Sequence, residues 1–489
     1  MAQSSLFKGT ASGAATKAGA IQSVRIPFIS ESNFRYTSAS KDARFVNCYF
    51  DPIKYPVTGE VKYYLTKRPG TTRTIQPPAT AAVARGVLSW KGDLYSVYGA
   101  TVWKNTTQLT VTPTTTTGRC GMSFTRPGAA TQYLAINDGV KLFIIATSGT
   151  VTTVTTNFPT PNTGDLLYKD GYFFVLKTDG TLWNCDVDDP TTWDLTKYIT
   201  AQMQNSSGVG LANQTNVMFV FGDTSFQAFY DNANSTGSPM SNMESAMQQL
   251  GCAANGSIVS DEAQVTWVSK STTGAYSVYT LDGITGVKEI GYPALNRILF
   301  AEGTGISNVY AKMMRMGGRK FYVLQIPTTA KRTFLYDYDT TLWVEWTNAA
   351  GTDIWPMFDS TQHANTLVIQ HPTDGYLSTV SPAVYQDNAV SFTVLARFAR
   401  FDLDTVARKF VKSVNLIGDV QTSTCNVSLQ YSDDDYVTLS TARTLDMSLV
   451  RAFCSTLGNF RRRSWQVSYA GNLPLRLEAL EMKIRMGDD

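Results

Sequence analysis

The chain has 489 residues, 43% of them hydrophobic and 12% aromatic. That exceeds what one ordinary core accommodates, so it predicts two or more domains or a repeat array and excludes a disordered chain. With 42 basic and 39 acidic residues the formal charge is +3, too balanced for a protein that grips nucleic acid by neutralising many phosphates, though looser contact is allowed.

Six cysteines at positions 48, 120, 185, 252, 425 and 454 form no CxxC pair, which predicts buried reduced thiols. Neither the apolar core of a signal peptide nor a run of about 18 apolar residues is present. The expectation is a soluble protein made in a cytoplasm.

Residues 1–24 are mostly Ala, Gly, Ser and Thr and cannot order themselves by burial, so they read as a frayed end or as an arm that orders on a partner subunit. From 25 to 80 the chain is aromatic and broken by Pro27, Pro52, Pro56, Pro69, Pro77 and Pro78. It reads as short extended pieces wrapping over other structure. Within it lie RFVNCYFDP at 44–52 and KRPGT at 67–71.

From 81 to 388 similar units follow one another. RGVLSWKGDLYSVYGATVWK at 85–104 reads as strand, turn, strand, turn, strand. YLAINDGVKLFIIATSG at 133–149 and DLLYKDGYFFVLKTDGTLWNCDVDDPTTWD at 165–194 repeat the plan with Asn-Asp-Gly, Lys-Asp-Gly and Thr-Asp-Gly turns. Such turns suit the positive-φ positions of tight hairpins. Further units start near 216, 265, 320 and 365, and TFLYDYDTTLWVEW at 333–346 has the clearest period-two alternation, centred on a Thr340-Thr341 turn. Recurrence at roughly 35–55 residues fits four-stranded propeller blades, six or seven in number; a pair of β-sandwiches is the competing arrangement. Met240, Met243, Met247 and Leu250 are spaced by three and four, which predicts a helical insertion at 238–257 presenting a Met face to the propeller or to another subunit. After about 389 the strands are longer and alternate more cleanly, predicting a C-terminal antiparallel β-sandwich over 389–489.

Catalytic motifs are scarce. His363 and His371 are the only histidines, and there is no HExxH, GxSxG or GxxxxGK[ST]. This argues against zinc hydrolysis and nucleotide binding and predicts no cofactor or metal. Paired carboxylates would suit a propeller glycosidase or lectin acting on host polysaccharide. The candidates are Asp337 with Asp339, the group Asp186, Asp188, Asp189 and Asp194, and the run Asp433 to Asp435. Each also fits a solvated turn. Tyr431 to Leu439 resembles a sialidase Asp box, with Tyr436 at its Gly position and Leu439 at its Trp position, and implies a hairpin only. Among basic residues, Arg461, Arg462 and Arg463 stand before Trp465, where alternation would put Arg461 and Arg463 on one face. They read as a solvated edge, a channel lining or a subunit contact. Lys67 and Arg68 are weaker candidates, as are Lys312, Arg315, Arg319 and Lys320.

Taken in order, RFVNCYFDP, KRPGT, VMFVFGDTSFQAFYDNANSTGSPM, QQLGCAANGSIV, VTWVSK, SVYTLDG, FLYDYDTTLWVEW, RRRSWQVSY and LRLEALEMKIRM resemble the packaged-DNA stabilisation proteins of short-tailed bacteriophages, the tail hub or nozzle subunits. The resemblance spans about 44–486 and leaves out the first 24 residues. It implies a non-enzymatic virion protein, assembled in the host cytoplasm as a hexameric ring below the portal and its adaptor. Such a ring extends the DNA channel, helps retain packaged DNA, carries fibres or tailspikes, and is closed by a needle or plug. Double-stranded DNA would pass without sequence recognition, and no membrane insertion is implied. A lining that must release DNA cannot bind it tightly, which near-balanced charge permits. A fibre or adhesin would normally show stalk repeats, and none occur.

Overall fold

The computed structural model describes residues 21–28, 44–54, 61–78, 80–129, 131–201, 206–261, 264–398 and 400–487. Residues 1–20 of the expected arm lie outside the described residues, and Ile21–Pro27 is a β-strand. The chain forms two compact units: one from 45–49 and 67–394, the other from the described parts of 1–44, 50–66 and 395–489.

The larger unit is a β-propeller. Five antiparallel sheets of four or five strands follow one another over 84–108, 121–154, 167–200, 208–248 and 251–289. A sixth joins Asp359–His363, Thr366–Gln370 and Leu377–Ser381 to Gly70–Ile75, so an N-terminal strand supplies the outer edge of the last blade. These are six free-standing blades. A meander over 310–346, built like a blade, lies between the fifth and the sixth, and its outer strand is extended in parallel by Val46 opposite Glu345. The turns explain the repeat: Lys91 and Gly92, Asp170 and Gly171, and Gly139 and Gly180 all have positive φ, which Gly and Asp tolerate at little steric cost.

Blade faces are apolar on both sides, so each is buried only against a neighbour. Leu134, Ile136 and Phe143 pack on Tyr95 and Val97 of the preceding blade. Phe221 and Phe226 pack on Trp267 of the following one, with ring centroids 5.1 and 5.5 Å apart. Val368 and Leu377 pack on Val87 and Tyr98, which closes the circuit.

The smaller unit is a two-layered antiparallel structure. One layer is centred on the long strands Lys409–Gly418 and Arg476–Met486, flanked by Ile21–Pro27 and Ala452–Ser455. In the other, Asn426–Ser432 lies between Arg443–Asp446 and Ser464–Tyr469. Val414, Leu416, Leu480, Met482 and Ile484 from the first layer, and Val427, Leu429, Trp465 and Val467 from the second, are buried, the sandwich pattern expected of alternating strands.

The helical insertion is not at 238–257. Met240–Gln248 is the outer strand of its blade, paired with Phe226–Asp231. Its register shifts between the pairs Ala228–Met243 and Phe226–Gln248, and such a bulge turns a period of two into wider spacings. Met240 is buried, Met243 and Leu250 pack against blade cores, and Met247 is half-buried. They form a blade edge rather than an interface helix. Among the described residues the α-helix of the propeller is instead Pro293–Ala301, with Pro at its first turn and Ala294, Leu295 and Leu299 buried.

Candidate functional site

The KRPG stretch builds a buried node rather than a surface. Arg68 is fully buried, and each of its guanidinium N–H groups has an acceptor within its own chain. Its Nη1 and Nη2 donate to Asp387 Oδ1 and Oδ2 at 2.9 and 2.5 Å, and Nε donates to Asn47 Oδ1 at 3.0 Å. The carbonyls of Pro69 and Thr347 take the remaining two, at 3.1 and 3.2 Å. The guanidinium stacks 3.6 Å over Phe392. Asn47, at φ 57°, holds the other side: its Nδ2 donates to Thr347 Oγ1 and to the Thr393 carbonyl. Gly70 follows because a Cβ there would lie 2.0 Å from the Gln386 carbonyl oxygen. Lys67 is also buried, 4.5 Å over the Phe392 ring. Burial takes Lys67 and Arg68 off the list of channel-lining groups.

The arginine run divides. Residues 461–463 precede the strand Ser464–Tyr469, so strand alternation does not apply to them. Arg463 is 1% exposed; it grips Asp433 at 2.7 and 2.8 Å, donates to the carbonyls of Leu457 and Asn459, and stacks 3.6 Å over Tyr431. Arg461 and Arg462 are exposed, and Arg461 donates to the Val406 carbonyl at 2.8 Å. Of Lys67, Arg68 and Arg461 to Arg463, only Arg461 and Arg462 face solvent in the single chain.

The carboxylates do not converge. Asp337 is buried in an ion pair with Arg319 and accepts from the Asp339 N–H and Thr340 Oγ1, while Asp339 is largely exposed at the turn. Asp189 and Asp194 close turns by accepting from Thr191, Thr192 and Thr196, and Asp186 pairs with Lys197. Asp434 accepts from Ser432 and Thr438, and these hydrogen bonds hold its carboxyl down at about 2. The Asp-box-like segment is the expected hairpin, with Tyr436 at φ 65° where the box has Gly. His363 Nδ1 meets Ser89 Oγ at 2.9 Å. His371 stacks on Tyr376, and burial lowers its basicity. The basic residues at 312–320 are all in ion pairs: Lys312 with Asp359, Arg315 and Lys320 with Asp261, and Arg319 with Asp337.

A cleft of about 480 Å³ opens among the residues that lead into the inner strands of several blades, lined by Arg119, Asp138, Asn162, Asn255, Lys312 and Phe358. Arg85, fully buried, positions one wall by donating to the carbonyls of Gly118 and Thr115. Beside the cleft, Asp165 Oδ2 accepts the Leu211 N–H at 2.9 Å. A Cβ at Gly210 would come within 2.8 Å of that oxygen, so the approach needs glycine. Burial pushes the Asp165 carboxyl up to about 6; the Arg119 charge, the Leu211 N–H and Asn255 pull the other way and lose. Sequence reasoning missed Arg119, Asp165 and Asn255. The available signal was the glycines beside them, Gly118, Gly121, Gly164 and Gly256, close-approach positions of the kind that converging blades require.

Among the described residues no group of three or more His, Cys, Asp or Glu side chains is placed to hold a metal ion, and no helix is long and apolar enough to cross a membrane. Five cysteines are buried free thiols and Cys454 is partly exposed.

A family model described as "Phage_stabilise: Bacteriophage P22 Gp10, beta-propeller" matches residues 39–383. No curated protein matches. Solved structures similar to the chain include a streptogramin B lyase (9% identity, 65% of this chain and 97% of that one, TM-score 0.40). Others are the WD40 β-propeller domain of Doa1 (11%, 64% and 97%, 0.39) and virginiamycin B lyase from Staphylococcus aureus (10%, 61% and 95%, 0.38).

Proposed function

This chain belongs to the Phage_stabilise family described as bacteriophage P22 Gp10, beta-propeller, and from that premise we propose that it works as the tail hub, or nozzle, of a short-tailed phage. It is a phage structural protein. In the proposed role six copies form a ring that joins the portal–adaptor to the distal tail, extends the DNA channel and helps retain the packaged genome. A tail fibre or tailspike and a needle or plug are its further partners, double-stranded DNA passes without recognition, and the assembled virion is its location.

The observation that carries this reading is the family match over 39–383. The chemistry of the chain is in keeping with it. Carboxylates that could have been catalytic hold the chain together instead: Asp433 pairs with Arg463 and Asp337 with Arg319. A glycosidase needs two carboxyl groups facing one bond across a gap, and Asp337 and Asp339 are committed to a turn. The mass of the purified protein, alone and mixed with the portal–adaptor complex of its phage, tests the proposal. Six copies per portal–adaptor are expected; a monomer that ignores the adaptor would overturn it.

A further inference from the structure

Two regions of the surface are complementary in sign and alike in exposing apolar side chains at an unpaired strand edge. The first is the 167–200 blade. Its outer strand, Asp189–Thr200, is the longest among the described residues at 12, and its sheet order leaves one edge unpaired. Between 165 and 200 there are seven Asp against three Lys, a net charge of −4. Asp170, Asp179, Asp188 and Asp194 are exposed, beside Leu195 at 61% and Val187 at 57%.

The second region is the segment 443–455 of the smaller unit, which crosses from Arg443–Asp446 in one sheet to Ala452–Ser455 in the other. Its strand Ala452–Ser455 is the edge of its sheet, paired with Lys409–Gly418 alone. Val450 is 96% exposed, Leu449 59% and Phe453 52%, and Arg443 and Arg451 flank them. Arg451 lies 4.6 Å over the Phe453 ring. Between 443 and 455 there are two basic residues, Arg443 and Arg451, against one acidic, Asp446, a net charge of +1. The two segments are therefore opposite in sign.

An exposed apolar edge strand is a template for association unless something covers it. Guard charges alone would need no counterpart of opposite sign. In a closed ring each subunit presents two different surfaces, one to the neighbour on either side. We propose that the 443–455 edge of one copy docks on the Asp189–Thr200 edge of the next. Arg443 and Arg451 meet Asp188 and Asp194, and Val450 and Phe453 pack on Leu195. The proposal rests on the ring reading and names its contact.

Charge exchange tests it. Three variants each break one face: Arg443→Asp with Arg451→Asp, Asp188→Arg with Asp194→Arg, and Val450→Asp. Each should raise the concentration at which rings dissociate by about tenfold or more, and salt near 1 M should weaken the wild-type ring. Carrying both charge exchanges in one chain should bring the dissociation concentration back to within about threefold of wild type. The substituted side chains are exposed, and unchanged melting of each variant confirms folding. If wild type forms six-copy rings and every single-face variant does so equally well, or the combined exchange gives no rescue, this contact is wrong while the hub reading stands. If wild type is monomeric with and without the portal–adaptor complex, the hub reading fails and the contact with it.

Discussion

Arg68 and Asp165 are both ionisable groups set inside the propeller unit, and they are treated in opposite ways. Around Arg68 the chain supplies an acceptor for each N–H and a bidentate carboxylate from Asp387, so the charge is kept and desolvation is compensated. Around Asp165 it supplies one backbone N–H, the Asn255 side chain and a more distant Arg119 charge, which do not offset burial, and the carboxyl rises to about 6. The first arrangement joins the N-terminal Asn47 and Arg68 to residues some 300 positions later and behaves as a clasp. The second leaves a titratable group beside the cleft. Burial alone therefore does not predict what a charge does; the count of satisfied donors and acceptors does.

Removal of Arg68 has the largest expected effect. Arg68→Ala leaves Asp387 buried without its cation and should cost about 3–5 kcal/mol in denaturant unfolding. Arg68→Lys should recover only part of this, because an ammonium cannot fork. In the smaller unit Arg463→Ala should cost about 2–3 kcal/mol, since the Leu457 and Asn459 carbonyls lose their donor while Asp433 can turn to water.

Asp165→Asn acts in the other direction. The folded-state carboxyl at about 6 lies above its unfolded value near 4. Its favourable contribution is therefore present below pH 4, declines between pH 4 and pH 6, and is lost above. The Asn variant should match wild type at pH 4 and exceed it at pH 8 by about 1–2 kcal/mol, read as a rise in melting temperature. Equal stability at both pH values would contradict the burial argument. Smallest of all, Arg462→Ala should change stability by less than about 0.5 kcal/mol, as expected for an exposed side chain without a structural partner.

Much of the propeller was legible because its signals are local. Lys169-Asp170-Gly171 and Asn137-Asp138-Gly139 mark hairpins, and the alternating residues between them mark blade faces. The Met240 stripe misled because a bulged strand and a helix can share spacings of three. The helix at 293–301 carries a Pro at its start and an apolar face, but at nine residues it is too short to stand out from the strand periodicity around it. Long-range pairings were not legible. Nothing near Gly70–Ile75 says that it completes a blade with Leu377–Ser381, and nothing near Ile21–Pro27 says that it pairs with Arg476–Met486. The basic candidates failed for a related reason: Arg68 and Arg463 read as surface charge until Asp387 and Asp433 are brought to them by the fold.

The most direct test of a structural role in genome retention compares filled heads purified with and without this protein, measuring nuclease-protected DNA per particle. Heads lacking it should lose their DNA, and adding the purified protein to freshly filled heads should prevent the loss. Equal DNA content in both preparations would contradict that role.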